Sequence, residues 1–232
     1  MPAPFPSARI YLADQRGRLV TAQQQRLSTL NFGAYEAEGR AAFGRLRAFN
    51  EESLAPGQAI ALPVAEATLL VLLPITGAVG YRVPAGPAGT ADVEQVLVLP
   101  LPAGSTVHLH NPYDDAVITF LHLWLAPAAV PAAARTFTYS FGQLNNQLAK
   151  LVPLGGALPA GLHLGCFQGR CEAEYTTQPG GNQLFAFVLA GAFELQNRLL
   201  HAGDGLGLTH CAQVELEALS NNALVLLLEL AP

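Results

Sequence analysis

The stretch Asn50-Glu51-Glu52-Ser53-Leu54-Ala55-Pro56-Gly57, followed by Pro63-Val64-Ala65 and then Gly77, decides how this chain is read. Ala55-Pro56-Gly57-Gln58 is a turn signal, because proline presets one backbone angle and glycine accepts left-handed ones. From there, short apolar runs follow at close spacing: Thr68 to Leu73, Ala78 to Val83, Gln95 to Leu99, Thr106 to His110 and Val117 to Leu125. Between them lie Thr76-Gly77, Ala85-Gly86-Pro87, Pro102-Ala103-Gly104 and Asn111-Pro112-Tyr113-Asp114-Asp115. Such runs, broken by Gly, Pro and Asn, predict strands and turns. Upstream, Phe43-Gly44-Arg45-Leu46-Arg47-Ala48-Phe49 reads as a further strand, its arginines alternating with Leu46 and Ala48.

The pattern recurs in the second half. Leu184-Phe185-Ala186-Phe187-Val188-Leu189-Ala190-Gly191 repeats the layout of Leu69 to Gly77, a buried strand running into a glycine turn. His201-Ala202-Gly203-Asp204-Gly205 matches the Pro102-Ala103-Gly104 turn. Between the halves, the small residues from Ala126 to Ala134, bracketed by prolines, read as a linker. The expected organisation is all-β, two tandem barrels: residues 1–127, a linker over 128–135, and residues 136–232.

Bulk composition excludes several classes. The 232 residues are 51% hydrophobic and 12% charged, with a net charge of −5 and Lys150 as the single lysine. A general nucleic-acid binder needs an excess of cations, so none is expected as a partner. Seven arginines before Asn50 (Arg9, Arg16, Arg18, Arg26, Arg40, Arg45 and Arg47) read as solvated surface residues. Met1-Pro2-Ala3-Pro4-Phe5-Pro6 lacks the apolar core of a signal peptide. The run Thr68 to Leu73 stops at Pro74, far short of the ~20 residues of a membrane helix. Three cysteines, an odd and sparse count, fit a reducing cytoplasm.

These blocks together resemble the pirin-like bicupins, a cupin family that includes proteins described as quercetin 2,3-dioxygenases. Ile10 to Gly17 is similar to the family's opening strand, Leu30 to Tyr35 and Phe43 to Glu52 to its next blocks, and Leu121 to Leu125 to the strand closing the first barrel. The resemblance implies two jelly-roll-like barrels. In metal-bearing members the segment after Ala-Pro-Gly carries His-Pro-His, and a later strand carries His-x-Glu. Counting from Ala55 places those histidines at Pro63 and Ala65, with the barrel glycine at Gly77. Neither a proline ring nor a methyl group donates a lone pair to a metal. The chain therefore resembles a metal-free subset of the family, and an apolar first-barrel interior is expected.

Val107-His108-Leu109-His110 is the remaining pattern with metal-binding spacing, since residues two apart on a strand share a face. Val107 and Leu109 have the better claim to the core, which turns His108 and His110 outward. His122 reads as a satisfied polar-face residue, and His163, His201 and His210 as surface or turn residues. Glu51 and Glu52 are adjacent, so their side chains diverge and make a poor acid/base pair. Cys166 and Cys171 are five apart; a disulfide between them requires a tight turn at Gln168-Gly169-Arg170. Arg170 beside Cys171 favours a thiolate, so Cys166, Cys171 and Cys211 are candidate redox residues, although buried inert thiols are the favoured reading.

The reading that follows is a cytoplasmic, non-catalytic binding or regulatory protein with no cofactor and no catalytic residue. Its partner is a small apolar molecule or another protein. Two alternatives stand beside it: a quercetinase-type dioxygenase with a metal on His108 and His110, and a thiol-based oxidant sensor.

Overall fold

The structure is a computed structural model that describes residues 7–84, 86–127, 133–155, 158–178 and 183–231. Its named elements are antiparallel β-strands and two short 3-10 turns, with no α-helix among the described residues. The chain divides into two compact units. The N-terminal unit comprises Arg16–Ala42 and Leu46–Tyr139; the other takes the chain up to Gln15, Phe43–Arg45 and everything from Ser140 on.

In the N-terminal unit a seven-stranded sheet runs in the order Arg135–Thr138, Gln95–Leu101, Thr68–Thr76, Ile118–Leu125, Leu46–Leu54, Gln24–Ser28, Gly17–Val20. Facing it is a four-stranded sheet, Ala59–Pro63, Thr106–His110, Val79–Arg82, Ala88–Ala91. Alternation along each strand sends one set of side chains inward. Leu54, Leu70, Leu72, Leu97, Leu99 and Phe120 meet Ile60, Leu62, Val107 and Leu109 in one hydrophobic core.

The C-terminal unit repeats the plan. A six-stranded sheet, Ser7–Tyr11, Gly205–Thr209, Gln183–Ala190, Ala223–Leu230, Ala160–Phe167, Ala149–Val152, accompanies a four-stranded one. Gln183–Ala190 holds the place in its sheet that Thr68–Thr76 holds in the other, next to the closing strand. Each ends at a glycine in the left-handed region, Gly191 at φ 74 and Gly77 at φ 69, where a side chain is disfavoured.

The expected boundaries need correction. Strand Ser7–Tyr11 pairs with Gly205–Thr209, so the chain's first strand belongs to the C-terminal unit. The Asp204 carboxylate holds it there by accepting from the Ala13 N–H at 2.8 Å. Arg135–Thr138 pairs with Gln95–Leu101, extending the N-terminal unit to Tyr139. Of the expected linker, residues 128–132 lie outside the described residues, as do the N-terminal Met1 to Pro6.

Candidate functional site

Strand Leu46–Leu54 has Ala48 and Leu54 in the core of the N-terminal unit. A period of two puts Asn50 and Glu52 on the same inner face, and both are wholly buried. The neighbouring strand Ile118–Leu125 sends Ile118, Phe120 and Trp124 into that core, and His122 with them. Its register sets His122 opposite Asn50 and Phe120 opposite Glu52. An acid, an amide, an imidazole and an indole thus converge inside one barrel.

The indole, the imidazole and the acid form one hydrogen-bonded chain. Trp124 Nε1 donates to Nδ1 of His122 at 2.9 Å. Indole N–H is a donor only, so Nδ1 accepts and the imidazole proton sits on Nε2, 3.3 Å from Glu52 Oε2. Gln24 Nε2 donates to Glu52 Oε1 at 2.8 Å, and Arg26 Nε to Oε2 at 2.5 Å. Burial lowers the His122 pKa, more than the Glu52 carboxylate raises it, and the ring is neutral. Phe32 covers the cluster, its ring 5.6 Å from His122 and 5.4 Å from Trp124. The Arg26 guanidinium lies 5.1 Å over the same Phe32 ring, a cation–π contact.

Outside this cluster lies a cavity of about 820 Å³. Its walls include Phe32, Ile60, Leu62, Pro63 and Trp124, and Arg26 and Arg47 reach it. Pro63 and Ala65, the residues at the expected ligand positions, are exposed and line this cavity. The inward members of their segment are Ile60, Leu62 and Val64.

His108 and His110 are half-buried and face away from the core, while Val107 and Leu109 are fully buried in it. His108 stands opposite Ala61 and Arg82, and His110 opposite Ala59 and Gly80. The His110 ring rests on Gly80, where an added Cβ would come within 2.1 Å of it. Glu51 and Glu52 diverge as expected: Glu51 turns to Arg16 at 2.9 Å, and Glu52 turns inward.

Four expectations change. The interior of this barrel is not wholly apolar, because Arg26, Asn50, Glu52 and His122 enter it. His122 is satisfied, but inside the barrel rather than on a polar face. Arg16 and Arg40 are buried rather than solvated; Arg16 pairs with Glu51 and the Leu27 carbonyl, Arg40 with the Thr29 carbonyl. His163 is also buried, against the Tyr175 ring at 4.8 Å, and burial with Lys150 nearby lowers its pKa to about 4. His201 and His210 are exposed.

The three cysteines are free thiols. Cys166 and Cys171 are half-buried; Cys211 is buried, donates to the Gln213 carbonyl at 2.9 Å, and has its pKa raised by burial. Arg170, expected to assist Cys171, pairs with Glu217 at 3.3 Å.

A transition metal needs several convergent donors with open lone pairs. Among the described residues no group of three or more His, Cys, Asp and Glu could hold one. Glu52 and His122 have every donor atom engaged within the cluster. The residues present do not fit such a centre.

Comparison with known proteins fits this architecture. Residues 159–230 match the model of the quercetinase C-terminal cupin domain. YhhW from Escherichia coli superposes with a TM-score of 0.84 at 15% identity, covering 97% of this chain and 98% of that one. The chain has the pirin-like bicupin fold. Bacterial pirin YhhW in complex with nickel(II), also from Escherichia coli, gives 0.82 at 14% identity over 97% of this chain and 100% of that one. Quercetin 2,3-dioxygenase from Acinetobacter baumannii gives 0.73 at 15% identity, covering 97% and 86%. No curated protein matches the chain in sequence. No helix among the described residues is long and apolar enough to cross a membrane.

Sequence reasoning missed Gln24, Arg26, Asn50 and Phe32 as members of the site. The signal available was Glu52, a carboxylate on a strand whose other inner residues are uncharged; such a charge demands a buried partner.

Proposed function

We propose that this chain is a non-catalytic pirin-like binding protein that holds a small, largely apolar molecule in the cavity of its N-terminal unit. One observation carries the reading: the acid and the imidazole behind the cavity are engaged with each other and with Gln24, Arg26 and Trp124. His122 has its Nε2 proton directed at Glu52 and its Nδ1 lone pair engaged by Trp124, so it offers no base to a bound molecule. Glu52 accepts from Gln24, Arg26 and His122 and offers no metal a vacant oxygen. Around them, Phe32, Ile60, Leu62, Pro63 and Trp124 form an aromatic and aliphatic wall. A volume of about 820 Å³ falls within the ~300–1,000 Å³ of small-molecule pockets.

Trp124 is the chain's only tryptophan and lines the cavity. Its emission therefore reports occupancy directly. Titration with an aromatic probe such as methyl 2-naphthoate is expected to quench it saturably, and flavonol is expected to remain uncleaved. Failure of any aromatic or aliphatic probe to perturb Trp124 would remove the basis of this reading, and flavonol turnover would favour the dioxygenase alternative.

A further inference from the structure

We infer that the molecule bound in this cavity carries a carboxylate on an apolar body, and that Arg26 is the residue that reads it; this rests on the binding reading above. The guanidinium of Arg26 uses only Nε toward Glu52. Its two terminal amino groups, which carry four N–H donors, have no acceptor among the described residues. They belong to a side chain only 12% exposed that lines the cavity. These amino groups still reach solvent through the cavity, and an acceptor on a bound molecule would replace that water with charge-assisted hydrogen bonds.

The group is also fixed in place. Glu52 holds its Nε and the Phe32 face supports its plane, which leaves the terminal amino groups of this cavity-lining side chain as a fixed fork of donors. That fork matches a carboxylate, which accepts two parallel N–H bonds, better than a single carbonyl or hydroxyl oxygen. Glu52 is itself engaged by Gln24 and His122, and Arg47 adds a second cation to the lining. Arg47 is tied to Glu66 at 2.9 Å, but the Glu66 side chain is 73% exposed, so water screens that acid. Trp124, Phe32, Ile60 and Leu62 supply the surface for an aromatic or alicyclic body, which separates this class from an inorganic anion.

The test compares 2-naphthoate with its methyl ester on the full chain, by calorimetry and by Trp124 quenching. The acid is expected to bind at least ~10-fold more tightly than the ester, the increment of one charge-assisted pair. Its advantage is expected to shrink with added salt. Arg26→Gln should abolish the advantage. Because that change strands a buried carboxylate, the double variant Arg26→Gln/Glu52→Gln keeps the pair neutral and should abolish it too, with folding checked by circular dichroism. Arg47→Gln should weaken acid binding several-fold and leave the ester unchanged. Equal binding of acid and ester, or an advantage that survives in the double variant, would overturn this inference while leaving the binding reading standing. If neither probe quenches Trp124, both fall.

Discussion

Trp124 Nε1 donates a hydrogen bond to Nδ1 of His122 at 2.9 Å, two residues back on the same strand and on the same inner face. This bond fixes the imidazole tautomer and points its proton at Glu52. It also joins the wall of the cavity to the polar cluster behind it. Trp124→Phe keeps an aromatic wall but leaves a buried acceptor unpaired. The expected cost is about 1–3 kcal/mol, measured by urea unfolding followed by circular dichroism. An unchanged urea midpoint would mean the bond is not stabilising.

The Glu52 cluster and the Glu66 pair provide an internal contrast. Glu52→Gln leaves Arg26 without its counter-charge in a nearly enclosed position, at an expected cost of about 3–5 kcal/mol. Glu66→Gln removes an ion pair to Arg47 at the exposed rim, and should cost less than about 1 kcal/mol. Urea midpoints of the two variants should therefore differ widely. Similar values would indicate that water reaches Glu52 freely.

The strand pattern of both barrels was legible because turn residues punctuate short apolar runs at regular spacing. The positions of Pro63 and Ala65 were legible by counting from Ala55. The inner face of Ile118–Leu125 was not. This strand is central, and Leu121, Leu123, His122 and Trp124 are all buried, so no polar-and-apolar alternation survives to distinguish its faces. Gln24 and Arg26 gave even less signal, because Gln23-Gln24-Gln25-Arg26 reads like a solvated edge. Only pairing with Leu46–Leu54, which sets Arg26 opposite Glu52, explains their place. The exchange of strand Ser7–Tyr11 into the C-terminal unit depends on long-range pairing that no local pattern encodes.

His163 makes the C-terminal unit sensitive to acid. Its folded-state pKa of about 4 lies below the ~6.5 of an unfolded histidine, so the unfolded chain binds the proton more readily. Stability from this group is fully present above pH ~6.5 and is lost as pH falls toward about 4, with a slope of at most about 1.4 kcal/mol per pH unit. His122 acts in the same direction. Urea midpoints measured between pH 7.5 and 4.5 should fall, and His163→Phe, which keeps a ring against Tyr175, should flatten that decline. An equally steep decline in the variant would assign the effect to other groups.

Asn50 is wholly buried, and neither its amide nitrogen nor its oxygen has a hydrogen-bond partner. Such a group costs desolvation and returns nothing. Asn50→Leu, of similar volume, should raise stability by about 1 kcal/mol and leave probe binding intact. A destabilised variant would show that the amide has a partner, such as an ordered water.

The last prediction concerns metal. Two imidazoles, His108 and His110, share the outer face of strand Thr106–His110. Their register neighbours are Ala59, Ala61, Gly80 and Arg82, three residues without a donor side chain and one cation. A first-row metal there would draw the rest of its coordination sphere from water, next to a guanidinium that opposes binding. Untagged protein is therefore expected to contain far less than one equivalent of iron, nickel or copper by elemental analysis. Anaerobic titration with ferrous iron should give weak binding that leaves Trp124 emission unchanged, since the histidines lie on the outer face and the indole lies inside. The double variant His108→Ala/His110→Ala should bind naphthoate as the parent does. Tightly held metal that is lost in this variant would instead place a metal centre on the outer face and revive the enzyme reading.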